Sequence, residues 1–252
     1  MQGKKQKKEE KKDRFKGLVR GVKRIFGGEE ISPLPSEQGK TSKLSPDKQE
    51  ELNMELLQAV KKNDIEKVKT YLKLGGDKNY KTKEVIVVKT LWFYENSTLL
   101  MIASAFGYTN IVDELIEKGV DVNIQDKIGS TALMWAAPKG HINICKLLVG
   151  YGADVNVQDK NGWTVLMETA NNRYIGATKY LLSVGANPLL KTNNGETAYD
   201  KTNDEEIQQI IKTYENLWKR IGEEQTLLLI QNINPAIRDC SPDKIHSIFV
   251  SL

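Results

Sequence analysis

The stretch that decides the fold is residues 129–156, which read GSTALMWAAPKGHINICKLLVGYGADVN. Its pattern returns 33 residues later, and part of it 33 residues earlier. Four columns recur at this spacing: Thr98, Thr131, Thr164 and Thr197; Gly129, Gly162 and Gly195; Gly119, Gly152 and Gly185; and Leu115, Leu148 and Leu181. Self-similarity at a fixed period of a few tens of residues indicates a solenoid of stacked units.

Each unit is predicted to contain a turn and two short helices. The segment 126–129 is a turn sequence, because its glycine adopts positive φ without strain. Thr131 stands where its hydroxyl can cap the first helix, and Gly140 ends that helix. Gly152 is the expected left-handed residue after the second helix. The buried faces of the two helices are predicted to hold Leu133, Ala136, Ile144, Leu147 and Leu148.

This pattern resembles the ankyrin repeat family over about residues 51–215. The segments that carry the resemblance are 129–137, Gly140-His141, Leu147-Leu148 and 152–156. It implies an all-α fold, an α-solenoid of stacked ankyrin-type helix pairs joined by short β-hairpin fingers. It also implies about five units, of which the first and last act as caps.

The family's Thr-Pro-Leu-His tetrapeptide is altered in this chain. Met101, Met134 and Met167 stand where the family has histidine. The hydrogen bonds that threonine and histidine share in the family are therefore not expected here. We expect the methionine side chains to fill that space by apolar packing.

An insertion separates the first unit, residues 54–82, from the second. It falls around residues 83–96, and its segment 84–94 is rich in β-branched and aromatic residues, which favours strands. We therefore predict that one finger is elongated into a longer β-hairpin. Asn96 takes the turn position that glycine holds in later units, and asparagine tolerates that conformation.

The chain is predicted to have three parts. Residues 1–50 form a basic amphipathic arm and a flexible linker, residues 51–215 the ankyrin repeat domain, and residues 216–252 a C-terminal helical extension. Residues 1–26 hold eleven Lys and Arg against three Asp and Glu, whereas the net charge of the whole chain is only +4. The basic character therefore belongs to the arm.

The arm has apolar residues at helical spacing with cations between them, which is typical of a basic amphipathic helix. Its predicted membrane-binding or partner-binding residues are Phe15, Lys16, Leu18, Val19, Arg20, Val22, Lys23, Arg24, Ile25 and Phe26. Such a helix can lie on an anionic membrane surface, bind a partner protein or nucleic acid, or dock on the solenoid itself. Nucleic-acid binding is the less favoured alternative and would show a steep salt dependence.

No constellation of catalytic residues is recognisable. His141 and Cys145 could share one helix face, but a zinc site needs three or four ligands and no others stand at suitable spacing. Phosphate-cradling glycine loops and nucleophile–base pairs are also missing. We expect no catalytic, metal or cofactor site and no enzymatic activity.

Columns of variable residue type are predicted to face outward, because one buried position does not accept Trp, Glu and Lys alike. Two such columns are Ile102, Trp135, Glu168 and Lys201, and Ser97, Ser130, Trp163 and Glu196. In ankyrin repeats the turns and first helices line a partner-binding groove. The resemblance places in it Trp92, Tyr94, Phe106, Lys127, Ile128, Trp135, Pro138, Lys139, Lys160, Asn161, Trp163, Asn171 and Asn172.

Exposed aromatic residues beside lysine and asparagine have the composition of a protein interface. We predict an adaptor that binds a partner protein in this groove, and we expect Trp135→Ala and Trp163→Ala to weaken binding by about 2 kcal/mol with little effect on stability. Packing of the two indoles on each other is the alternative. A bacterial effector or a regulatory subunit of a partner enzyme remains open.

The sequence also suggests a location. No apolar run reaches bilayer length and no apolar segment follows the basic N-terminal residues, so we expect a cytoplasmic protein. If the arm binds lipid, it would associate peripherally with a membrane. We expect a monomer.

Overall fold

A computed structural model describes residues 44–221. The predicted arm helix 15–26 and the extension beyond Ile221 lie outside the described residues. The chain divides into two compact units, which meet in sequence between Tyr80 and Lys81.

The first unit contains the helix pair α1 (Pro46–Lys61) and α2 (Ile65–Lys73). The Ser45 hydroxyl caps α1 and the Asp64 carboxylate caps α2, each accepting a backbone N–H from the first turn. The apolar residues of the pair that face its core are Leu52, Leu56, Val60, Val68 and Tyr71. Because α1 begins at Pro46, its first turn lies within the range that the sequence analysis gave to the arm and linker.

The second unit begins with a β-hairpin and continues with helix pairs. Its elements are β1 (Ile86–Val88), β2 (Leu91–Phe93), α3 (Leu99–Ala105), α4 (Thr109–Glu117), α5 (Ala132–Ala136), α6 (Ile142–Gly150), α7 (Val165–Asn171), α8 (Ile175–Ser183) and α9 (Glu205–Ile221). A 3-10 turn, Ala137–Lys139, follows α5 directly. Helix α9 crosses the boundary predicted at residues 215 and 216, so the closing helix and the start of the extension are one element.

Threonine caps begin the first helix of three successive repeats, as predicted. The hydroxyls of Thr98, Thr131 and Thr164 accept hydrogen bonds from the backbone N–H three residues on. The sulfur atoms of Met101 and Met167 accept the cap residue's own N–H at 3.3 and 3.4 Å. Methionine thus packs in the core, as expected, and also acts as a weak acceptor that completes a capping box.

Leucine columns form the core of the stack, as the sequence analysis predicted. On the first helices of the pairs the buried column is Leu100, Leu133 and Leu166; on the second helices it is Leu115, Leu148 and Leu181. Neither helix of a pair could bury its apolar face alone, so each repeat depends on its neighbours.

Two of the turn glycines are needed for a second reason besides their positive φ. The φ angles of Gly129 and Gly162 are 89° and 78°. A Cβ atom on Gly162 would lie 2.8 Å from the backbone nitrogen of Asn193, in the following turn. Glycine therefore lets successive turns approach closely. Asn96 has φ 63°, which confirms the prediction for that position.

Backbone hydrogen bonds join each turn to the next. They run from N–H to C=O in three pairs: Lys127 to Glu95 at 2.8 Å, Lys160 to Ile128 at 3.0 Å and Asn193 to Asn161 at 2.9 Å. This ladder fixes the register in which successive turns stack.

Asparagine side chains form a second ladder. Asn156 accepts the Asn187 N–H through Oδ1 at 2.7 Å and donates through Nδ2 to the Gly185 carbonyl at 3.1 Å. Asn123 makes the equivalent pair of bonds to Asp154 and Gly152. Each asparagine therefore ties the segment after one helix pair to its counterpart in the next repeat.

Candidate partner-binding surface

The hairpin in the insertion presents two different faces. Its strands pair antiparallel, with Ile86 opposite Phe93, Val87 opposite Trp92 and Val88 opposite Leu91. The Lys81–Thr98 bridge at the base has the same register. Alternate residues therefore share a face. We call the exposed set, Val85, Val87, Trp92 and Tyr94, the hairpin face.

The opposite face packs on aromatic residues of the repeats. Phe93 is fully buried, with its ring centroid 5.9 Å from that of Phe106 and 4.7 Å from that of Trp135. The Phe106 ring also stacks on Tyr108 at 5.6 Å. We call these four residues the aromatic cluster. It fixes the hairpin on the first helices of two successive repeats, α3 and α5.

The hairpin turn is held at the same place. Lys89 has φ 55°, an uncommon conformation for a residue with a side chain. Its ammonium nitrogen lies 4.9 Å from the centroid of the Phe106 ring and 5.2 Å from that of Tyr108. This cation–π contact attracts the Lys89 side chain, and with it the turn, to the two rings.

Trp135 is held by two contacts and is only partly accessible. One is its stacking against Phe93, and the other is a hydrogen bond from its indole Nε1 to Asp126 Oδ2 at 3.1 Å. Burial raises the pKa of the Asp126 carboxyl, although the hydrogen bonds it accepts from Ser130, Trp135 and neighbouring backbone oppose the shift. The second Asp126 oxygen takes turn N–H groups, so this carboxylate organises the turn.

A lysine side chain from the following repeat lies over the ring of Trp163. The Lys201 ammonium lies 4.5 Å from the centroid of its ring and also forms an ion pair with Glu196. The ring contacts do not support the alternative that Trp135 and Trp163 pack on each other. Each indole instead has its own neighbour, Phe93 for Trp135 and Lys201 for Trp163.

In the next repeat a glutamate, Glu168, takes the position equivalent to Trp135. Asp159 receives the N–H groups of Asn161 and Trp163, as Asp126 does in its own turn. Position 168 holds glutamate, which donates no hydrogen bond when ionised. Burial raises the pKa of the Glu168 carboxyl, and Asp159 raises it further, while Lys139 lowers it. The ionised form of the Glu168 carboxyl is therefore destabilised at this position of the predicted groove.

The predicted partner-binding residues differ in accessibility. The exposed ones are Trp92, Tyr94, Lys127, Lys139, Lys160, Asn161, Asn171 and Asn172; the partly buried ones are Phe106, Ile128, Trp135, Pro138 and Trp163. Lys127 forms an ion pair with Glu95 at 2.9 Å. The hairpin brings Trp92 and Tyr94 together, while its inner face covers part of Phe106 and Trp135.

The two columns predicted to face outward are only partly exposed, and that expectation was wrong for their first members. Ile102 and Ser97 are both fully buried. The hairpin contacts this repeat through Phe93 and Phe106, the residue that follows α3, and no later described repeat has such an insertion. A column can therefore change from fully buried to partly exposed along the stack.

Sequence reasoning missed Val85, Val87, Lys89 and Phe93 as parts of this surface. The sequence signal for two faces was weak, because residues 85–88 are all apolar and show no polar–apolar alternation. The register that pairs Val87 with Trp92 was not available without the position of the turn.

His141 and Cys145 contribute to packing. His141 lies against Gly107, where an added Cβ would come within 2.7 Å of its ring, and Cys145 is buried. Burial raises the pKa of the Cys145 thiol to about 12, so the thiol is a poor nucleophile. Within residues 44–221, no group of three His, Cys, Asp or Glu side chains is placed to bind a metal ion.

Residues 56–159 match the family model for ankyrin repeats (3 copies). Residues 56–159 therefore contain ankyrin repeats, and the helix pairs α3–α4 and α5–α6, with their threonine caps at Thr98 and Thr131, lie within the match. Ankyrin repeats generally mediate protein–protein interaction and are typically non-catalytic modules. No curated protein shows significant similarity to the chain. None of the described helices is both long and apolar enough to cross a bilayer.

Proposed function

We propose that this protein is a non-enzymatic adaptor that binds a partner protein through the hairpin face and the adjoining turns of the repeats. One observation carries the proposal: Trp92 is 64 % exposed although the hairpin is fixed on its inner side by Phe93. A rigid, accessible indole offers a large contact area at little cost in conformational entropy.

The same geometry supports an elongated finger. Lys81 opposite Thr98 and Val88 opposite Leu91 belong to one register, so we propose that residues 81–98 act as a single finger longer than those of the later repeats. Such a finger would extend the binding surface beyond the turns. It would place the hairpin face beside Lys127, Ile128, Lys160 and Asn161.

Removal of the Trp92 indole tests the proposal. The immobilised full-length chain and its Trp92→Ala variant would be exposed to lysate from the source cells, and retained proteins quantified by mass spectrometry. Affinities would then be measured with the purified candidate. We expect Trp92→Ala to weaken binding by about 2 kcal/mol, because an anchor residue is lost from the centre of the interface.

Tyr151 provides a matched control, since it is 59 % exposed but lies at the end of α6, outside the proposed surface. Tyr151→Ala should retain the partner at the wild-type level. Equal loss of binding in both variants, or in neither, would contradict the assignment of the hairpin face.

We also propose that the basic arm, residues 15–26, tethers the adaptor to an anionic membrane surface. Its cations and apolar residues are the support, at about 1 kcal/mol for each Lys or Arg near the surface. Full-length protein should sediment with phosphatidylserine vesicles at low salt, and a chain lacking residues 1–26 should not. Sedimentation of both forms alike would reject the tether. A cytoplasmic location remains a prediction.

A further inference from the structure

The outer edge of β1 carries backbone groups without a partner. Residues that flank a two-residue turn exchange hydrogen bonds, so Val88 and Leu91 form the hydrogen-bonded pair. Val87 and Trp92 then form the non-hydrogen-bonded pair, whose N–H and C=O groups point away from the hairpin. Among residues 44–221, no hydrogen bond reaches the backbone groups of Val87. An unpaired strand edge is a template for a further strand.

The edge of β2 is already in use near its base. The carbonyl of Glu95 accepts the N–H of Lys127 from the following turn at 2.8 Å. The following turn therefore lies beside the β2 side of the hairpin base. On the β1 side, no hydrogen bond among the described residues reaches the backbone of Val85 or Val87, so we take this side for the added strand.

Side chains beside this edge specify what the added strand would carry. Val85, just before β1, and Val87 within it are 45 % and 46 % exposed, and Trp92 lies opposite Val87. A strand laid along β1 would cover them with its own alternate residues, which must be apolar to gain from the contact. Lys81, at the base of the hairpin, is exposed and adds a positive charge at that end of the edge.

We propose that the partner contributes an extended segment that adds to β1 as a third strand, with apolar residues at alternate positions and an acidic residue toward Lys81. Backbone hydrogen bonds would give affinity, and the hairpin face would select the side chains. The proposal rests on the proposed function and names the kind of partner that this surface fits.

Selection from a random peptide library tests it. The library would be displayed on phage, selected on the immobilised full-length chain, and counter-selected on its Trp92→Ala variant. We expect enriched peptides in which apolar residues alternate and an acidic residue lies at one end. Their affinity should fall about tenfold when one backbone nitrogen that faces β1 is methylated, because a methylated nitrogen donates no hydrogen bond.

A second variant examines the edge from the side of the protein. Val87→Pro removes the outward N–H, at a position where the hairpin needs no internal bond. It should weaken the selected peptide about tenfold, and circular dichroism would establish that the repeats remain folded. Tyr151→Ala, with its exposed aromatic elsewhere, should bind the peptide as wild type does.

Each other outcome has a defined meaning. Peptides that bind wild type and Trp92→Ala equally would reject this docking site but leave protein binding by the repeats intact. Insensitivity to backbone methylation would reject strand addition. Failure to enrich any peptide, together with Trp92-dependent binding to phosphatidylserine vesicles, would assign the hairpin face to lipid and overturn the proposal.

Discussion

Pairs of residues nine positions apart distinguish one repeat from the next. Asp126 and Trp135 form an acceptor–donor pair, while the equivalent positions in the following repeat hold two carboxylates, Asp159 and Glu168. The fold tolerates both pairs because the turn N–H groups satisfy one oxygen of either aspartate. The difference leaves the Glu168 carboxyl, whose pKa is raised, as a local cost to stability.

Glu168→Gln is therefore expected to stabilise the folded chain at pH 7. The pKa of Glu168 is raised in the folded state, so the wild type is most stable below the pKa of the unfolded chain and loses stability as pH rises through the folded value. Glutamine stays neutral, so it has no charge to bury and none to repel Asp159. We expect a gain of about 0.5 kcal/mol, a small figure because the side chain is partly in water.

Urea unfolding at pH 7 and near pH 4 would measure this gain. The advantage of the variant should disappear at the lower pH, where the wild-type glutamate is protonated. Glu117→Gln, at an exposed position of α4, should change nothing at either pH. A gain that persists at low pH would show that the buried negative charge of Glu168 is not its origin.

At the scale of elements, the hairpin changes what its neighbours do. Trp135 has the sequence signature of an interface residue, yet Phe93 and Asp126 hold it in place. The expectation that Trp135→Ala would leave stability nearly unchanged therefore does not fit the structure. Trp92 and Tyr94 remain accessible to a partner, because they lie on the face of the hairpin opposite Phe93.

Trp135→Ala is expected to lower the free energy of unfolding by about 2 kcal/mol, through lost packing and the loss of the hydrogen bond to Asp126 Oδ2. Trp135→Phe should cost about 1 kcal/mol, since a ring remains against Phe93 but the indole donor is lost. Trp92→Ala is the matched control and should stay within about 0.5 kcal/mol of wild type. Urea denaturation followed by circular dichroism would rank the three, and a Trp135→Ala variant as stable as Trp92→Ala would contradict this account.

Local chemistry made most of the fold predictable from sequence. Some features act within one repeat and recur at the fixed period: the turn glycine at Gly129, the cap at Thr131 and the buried leucines. The anchoring of Phe93 could not be predicted, because it depends on where an insertion folds back. The burial of Ile102 was not predicted because the other members of its column are aromatic or charged. Surface residues are hardest to assign when covering elements come from outside the periodic pattern.

For the whole second unit, stability depends on how strongly adjacent repeats are coupled. A stack of repeats behaves nearly as a one-dimensional chain, in which each interface adds its own free energy. Here the turn ladder and the asparagine ladder cross those interfaces. Backbone groups of the turn ladder are insensitive to substitution, so the asparagine side chains are the part of the coupling that can be altered.

Asn156→Ala should therefore uncouple the last repeats from the earlier ones. It removes two hydrogen bonds, to Asn187 N–H and the Gly185 carbonyl, at a cost of about 2 kcal/mol. Because that loss falls on one interface, amide hydrogen exchange should speed up in α8 and α9 while α3 and α4 keep their protection. Asn143→Ala, at an exposed position of α6, should leave exchange unchanged throughout. Uniform loss of protection would mean that the described repeats open as one cooperative block rather than interface by interface.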